Sequence, residues 1–262
     1  MPTAIVSDIH GNAEALRAVL RDIEARGITD IICLGDVVGY GPEPLECVDM
    51  VRERCRWCLM GNHDYAVLYE PTSFNPAATA SAYWTRDQFD AEPNEQLRRE
   101  RYEFLGRLRV RVIDPIGGEQ PVLAVHGSPR KPINEYIFHD DPRDRPDKME
   151  SIFRRVDRTA IVGHTHVPGV YTDEPDFYKP DELGENGYVV NDNEKAIINV
   201  GSIGQPRDGD PRASYAIYHA ENGSPARFEF VRVEYDITKT AELMRQVPEL
   251  TPWLADRLFE GQ

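Results

Sequence analysis

No stretch of this chain has the roughly 20 predominantly apolar residues that a membrane-spanning helix needs, and no internal repeat or low-complexity tract occurs in its 262 residues. The opening "MPTAIVSDIHGN" runs straight into a strand-like segment, without the basic and apolar regions of a secretory signal. These absences predict a soluble, cytoplasmic protein with no membrane partner. Positive charge is also in short supply: 30 Lys and Arg face 45 Asp and Glu, a formal charge of −15. Such a surface repels polyanions, so long nucleic acid is not expected as a partner. An anionic substrate must then meet a local positive site. Cysteine is confined to Cys33, Cys47, Cys55 and Cys58. The last two have C-x-x-C spacing, but no second Cys pair or Cys-His pair completes a zinc site, so reduced thiols flanking a strand are predicted.

What the chain does have is alternation. "TAIVSD" reads as a short buried strand; "NAEALRAVLRDIEARG" then sets Leu16, Val19, Leu20 and Ile23 at helical spacing, with Asn12 as N-cap and Gly27 as stop. "DIICLGD" and "RWCLMGN" are further strands around the proline-opened helix "PEPLECVDMVRER", with Leu45, Val48 and Val51 inward. Parallel strands with right-handed crossovers follow from that order. Residues 65–108 read as a helical insert beside the strand ends. After it come eight short strands, the last being "RFEFVRVEY", whose apolar residues change phase and predict a bulge near Phe230. Loops at 139–148 and 172–186 are acidic, proline-bearing and solvated in this reading, and the C-terminal segment is helical with breaks at Pro248 and Pro252. The whole, 1–262, is read as one α/β (α+β) domain: a four-layer αββα sandwich of two mixed sheets flanked by helices. Its C-terminal helix, with Leu250, Trp253, Leu254 and Leu258, is expected to dock on its own domain rather than to make a dimer contact.

Ligands in open α/β layers collect at the carboxyl ends of strands. Five loops there read "SDIHGN", "LGDVVGYGP", "MGNHD", "VHGSP" and "VGHTH", and they hold five of the seven histidines: His10, His63, His126, His164 and His166. Asp8 and His10, like His164 and His166, are two residues apart, so in extended backbone both members of a pair project to one side. Imidazole, carboxylate and one amide, without thiolate, suit manganese first, with iron, zinc, nickel or cobalt also compatible. The surplus of ligands favours two divalent ions. Their +4, less Asp8, Asp36 and a bridging hydroxide, leaves roughly +1 to hold a phosphate. Ions about 3.5–4 Å apart can share one carboxylate and one water and aim it in line at phosphorus; Asp36, alone at its strand end, is the natural bridge.

"DIHGN", "GD", "GNHD", "HGSP" and "GHTH", in that order from Asp8 to His166, resemble the calcineurin-like metallophosphoesterases, and "NVGSIGQPRDGDPRASYAI" is similar to a stretch of their bacterial small-phosphoesterase members. The resemblance implies that Asp8, His10, Asp36 and His166 bind one metal and that Asp36, Asn62, His126 and His164 bind the other. It also implies that His63 stabilises or protonates the leaving oxygen, with Asp64 orienting its ring. Val200 departs from the proline that many relatives carry before Gly201 and Ser202.

The expected activity is hydrolysis of a small phosphate ester or phosphoanhydride (a phosphodiester, nucleotide or dinucleoside polyphosphate) by metal-bridging hydroxide. The alternative is a silent metal-binding scaffold of the same fold. Arg207 and Tyr40 are candidate substrate-binding residues, although a turn arginine paired with Asp208 or Asp210 is the simpler reading of Arg207. Tyr65, Tyr83 and Trp84 either stack a nucleobase or pack in the core. His139 and His219 are read as surface or structural. The partner is a small phosphorylated substrate, and the protein is a monomer or a homodimer.

Overall fold

The computed structural model describes residues 1–118, 120–191, 193–220 and 225–262. The first third alternates as its sequence predicts: β1 (Thr3–Val6), α1 (Ala13–Ala25), β2 (Asp30–Cys33), α2 (Pro44–Arg54) and β3 (Trp57–Cys58). Asn12 caps α1, its side chain accepting the Ala15 amide at 3.1 Å, and Gly27 leaves the helix at φ +70°. The insert starts earlier than expected. α3 (Asn62–Leu68) takes in the "NHD" residues themselves, followed by α4 (Pro76–Ala91) and α5 (Glu95–Gly106).

β4 (Arg111–Asp114) and β5 (Val122–Val125) follow, then α6 (Asp141–Asp144), α7 (Pro146–Phe153), β6 (Thr159–Val162), β7 (Gly169–Thr172) and β8 (Asp176–Tyr178). α6, the start of α7 and β8 lie within the two stretches read as loops, most of whose residues are exposed as expected. Pro142 and Pro146 sit in first helical turns, where a missing N–H costs nothing. Asp141 is buried and paired with Lys148 rather than hydrated. The chain ends with β9 (Tyr188–Val189), β10 (Ala196–Asn199), β11 (Ala213–His219), β12 (Arg227–Val233), α8 (Ile237–Arg245) and α9 (Pro252–Glu260).

Two mixed six-stranded sheets result, ordered β3-β2-β1-β11-β12-β9 and β4-β5-β6-β10-β7-β8. Strand alternation sends one set of side chains between the sheets, among them Ile5, Ile32, Ala216, Ile161 and Ile198. Their neighbours Ala4, Val6, Ile31 and Ile217 pack under α1 and α2, while Val125, Val162 and Ile197 pack under α7. Four layers and three apolar interfaces follow. This also explains why the bulge expected near Phe230 is missing. β12 pairs with β11 in unbroken register from Arg227↔His219 to Val233↔Ala213. Phe228 and Phe230 face the layer between the sheets and Val231 and Val233 face the helices, so both phases are apolar without a shift.

All four cysteines are free thiols, and burial pushes the thiols of Cys47, Cys55 and Cys58 well up, which keeps them unreactive. Leu250, Leu254 and Leu258 pack with Tyr40 and Ala78, so α9 docks on its own chain while Trp253 stays exposed. Among the described residues no helix is long and apolar enough to cross a membrane.

Candidate metal centre

β1, β2 and β3 of one sheet and β5 and β6 of the other point their carboxyl ends at the same place. The loops leaving them are laced together. The Ile9 and His10 amides donate to the Asp36 carbonyl at 2.8 and 2.9 Å, and the Gly163 amide donates to the His126 carbonyl at 3.0 Å. The pairs Asp8/His10 and His164/His166 are not extended, as spacing had suggested. All four residues, with Asp36, adopt φ between +50° and +68°. Each such left-handed residue costs about 1–2 kcal/mol. The sharp turn at each strand end re-aims the side chains inward, and strain concentrated this way is a mark of a functional site.

Side chains gather in two linked groups. In the first, His10 Nε2 lies 3.0 Å from His166 Nε2, which lies 3.1 Å from Asp8 Oδ1. In the second, His126 Nε2 lies 3.2 Å from both Asn62 Oδ1 and His164 Nδ1. Asp36 joins them through one oxygen: Oδ2 is 3.7 Å from His10 Nε2 and 3.3 Å from His126 Nε2. Its other oxygen accepts the His63 amide at 2.8 Å. Donor atoms around a four-coordinate ion with bonds of about 2.0–2.1 Å stand roughly 3.4 Å apart. The spacings here bracket that value, so each group could hold a metal ion.

Backbone carbonyls fix the tautomers. Nδ1 of His10, His126 and His166 donates to Val38, Leu34 and Gln205 at 3.3, 3.0 and 2.6 Å. Nε2 of His10 and His166 is thereby left as a lone pair facing the centre, and Nε2 of His126 becomes one when its second proton leaves. Burial would raise the Asp8 and Asp36 carboxyls, but the imidazoles of His166 and His126 facing them hold both well below the usual carboxylate range. Burial pushes His164 down to about 3, and His126 is drawn up to about 9 against burial by Asp36. Nε2 of His164 is buried without a partner.

His63 also lies within 4.8 Å of donor atoms of His10 and Asp36. Its ring is wedged between Tyr40 and Phe74, at 4.4 and 4.6 Å between centroids, with His10 edge-on at 4.8 Å. Burial, reinforced by the charge of Arg207 and opposed by Asp36, brings it down to about 4, so the imidazole is neutral at neutral pH. Asp64 does not orient it. Both Asp64 oxygens accept backbone amides, from Asp36 at 2.8 Å, Val37 at 2.9 Å and Gly61 at 2.9 Å, while His63 Nδ1 is buried with no partner. In the first turn of α3 the Asp64 side chain reaches back to the buried amide of the N-cap residue Gly61, as an N3 carboxylate does in a capping box. Burial and the charge of Asp36 push the Asp64 carboxyl up, and those amide donors oppose the rise. Gly61 is required, because a Cβ there would fall 2.0 Å from Asp36 Oδ1.

Tyr40 is buried against His10 and His63, and burial raises its phenol. Arg207 is not tied to Asp208 or Asp210, which pair with Arg232 and Arg212. Its Nη2 donates to Gln205 at 2.7 Å, its Nε is buried without a partner, and its amide donates to the His166 carbonyl. It lines a cleft of about 570 Å³ that also touches Val167 and Pro168, just past the last metal loop. Tyr65 packs tilted against Tyr69, the Tyr83 hydroxyl donates to Glu70, and Trp84 packs in the cluster under α9 with Tyr40 and Phe74. His139 is exposed, and His219 pairs with Glu229. Ser7, which donates to Asp8 at 2.6 Å, and Gly39, beside His63, were not singled out from the sequence. Gly39 lay in plain view inside "GDVVGYG", where glycine next to a catalytic loop is itself a signal of close approach.

Residues 1–223 match the calcineurin-like phosphoesterase superfamily domain. An uncharacterised protein of Methanocaldococcus jannaschii is 38% identical over 264 residues, spanning 99% of this chain and 98% of that one. The crystal structure of a metallophosphoesterase from Sphaerobacter thermophilus is 40% identical and superposes with a TM-score of 0.79, covering 100% of this chain and 99% of the other. A shorter likeness, 37% over 71 residues and 26% of each chain, links it to the symmetrical bis(5′-nucleosyl)-tetraphosphatase of Erwinia tasmaniensis.

Proposed function

This chain belongs to the calcineurin-like phosphoesterase superfamily, and from that premise we propose that it hydrolyses a small phosphate ester or phosphoanhydride with two divalent metal ions, manganese first among them. The observation that carries the reading is Asp36 Oδ2, set between the imidazoles of His10 and His126 so that one carboxylate serves two groups of ligands. Ions held there polarise a phosphoryl group and lower the pKa of water, supplying a nucleophile at neutral pH.

The chain's own residues do the rest. Asp8, His10 and His166 hold one ion, Asn62, His126 and His164 the other, and Asp36 both. His63, neutral and wedged beside Gly39, stabilises the departing oxygen by donating a ring N–H to it; protonating that oxygen would take the imidazolium form. Arg207 brings its charge to the phosphate in a protein whose surface is otherwise acidic. That acidity keeps long polyanions away and fits a small substrate in the cytoplasm.

The test is a panel of an aryl monoester, an aryl diester, a cyclic nucleotide and a dinucleoside tetraphosphate, with Mn²⁺. The last is included for the likeness to the Erwinia tasmaniensis enzyme. Hydrolysis of at least one, falling about 10²–10⁴-fold in His63→Ala with metals retained, is expected. Full metal content with no turnover on any of them would favour the silent scaffold.

A further inference from the structure

Two aromatic rings beside the centre have no part in the chemistry above. Tyr136 lies on the imidazole of His164, centroids 3.8 Å apart and planes 21° from parallel, and Phe138 runs parallel to Tyr136 at 5.3 Å and 5°. They are 38% and 50% exposed. Ile137 between them is buried in the core under α7. The backbone that carries them is pinned. The Tyr171 hydroxyl donates to the Ile137 carbonyl at 2.6 Å, Lys148 donates to the Tyr136 carbonyl at 2.8 Å, and the Phe138 amide donates to Asp141 at 2.7 Å. Scattered exposed aromatics need no explanation. A parallel pair, held rigid and resting on a metal-ligand candidate, does. His139, next in the chain, lines the same cleft as Arg207.

We infer that Tyr136 and Phe138 form a stacking platform for the nucleobase of a nucleotide substrate whose phosphate lies at the metal centre and Arg207. The inference rests on the phosphoesterase reading and narrows its substrate class. The half-exposed outer face of Phe138, backed by Tyr136 which itself lies on His164, takes any planar base without selecting among bases, because every base offers a π-face.

Calorimetric titration of the Mn²⁺-loaded protein with adenosine 5′-monophosphate and with ribose 5-phosphate isolates the base, since the two share sugar and phosphate. The nucleotide is expected to bind about tenfold more tightly, the size of one base–aromatic stack. Phe138→Ala should close most of that gap and Phe138→Trp should keep it. Equal affinities in the native protein, or a gap that survives Phe138→Ala, overturn the platform. Hydrolysis of bis(4-nitrophenyl) phosphate by the same native preparation separates the two ideas. Equal affinities with hydrolysis intact overturn the platform alone, whereas absence of all phosphoesterase activity overturns the reading it stands on.

Discussion

The Asp64 carboxylate accepts the Asp36 amide at 2.8 Å, three residues after the turn that brings α3 against the second metal loop. With Val37 and Gly61 also donating to it, Asp64 ties the bridging carboxylate's own backbone in place. Asp64→Ala strands several buried amides at about 1–3 kcal/mol each. A loss of roughly 3 kcal/mol or more is expected, read as a lower urea midpoint, together with weaker binding of both metals. A variant as stable as the native protein, with both ions retained, would return Asp64 to the ring-orienting role.

Gly39 leaves the space that His63 occupies. A Cβ at position 39 would stand 2.4 Å from His63 Nδ1, and the backbone there has φ +87°. Gly39→Ala should displace the imidazole and cut kcat about hundredfold, the cost of a displacement near 1 Å, while metal stoichiometry stays unchanged. Unaltered kcat would show that the ring need not sit where it does.

Asp36→Asn should weaken both metal sites together, because one oxygen faces His10 and His126. Mass spectrometry under native conditions counts the ions. Two retained at full occupancy would refute the bridge.

The fold and the strand-end loops that gather the candidate ligands were legible because they rest on local patterns. Strand-length apolar runs that end in Gly next to Asp or His announce both a buried strand and a crowded loop. The misses share a different cause. The partner of Asp64 depends on backbone amides 26–28 residues away, which no spacing reveals. Phe228, Phe230, Val231 and Val233 read as a phase slip because both faces of β12 are covered, a consequence of the layers and not of the strand. α6 is a four-residue stretch of Asp, Pro and Arg and β8 has only three residues, so tertiary contacts such as Asp141 with Lys148 decide α6 and pairing with β7 decides β8. Tyr136 acquires meaning only from lying on His164, 28 residues later in the chain.

One titration tests the two-ion centre most directly. Metal-free protein is given Mn²⁺ in steps while bound metal and hydrolysis of bis(4-nitrophenyl) phosphate are followed together. Two ions per chain, with turnover that rises as the second site fills, is the predicted result. Saturation at a single ion, or two bound ions with no hydrolysis of this or any other phosphoester, would contradict it.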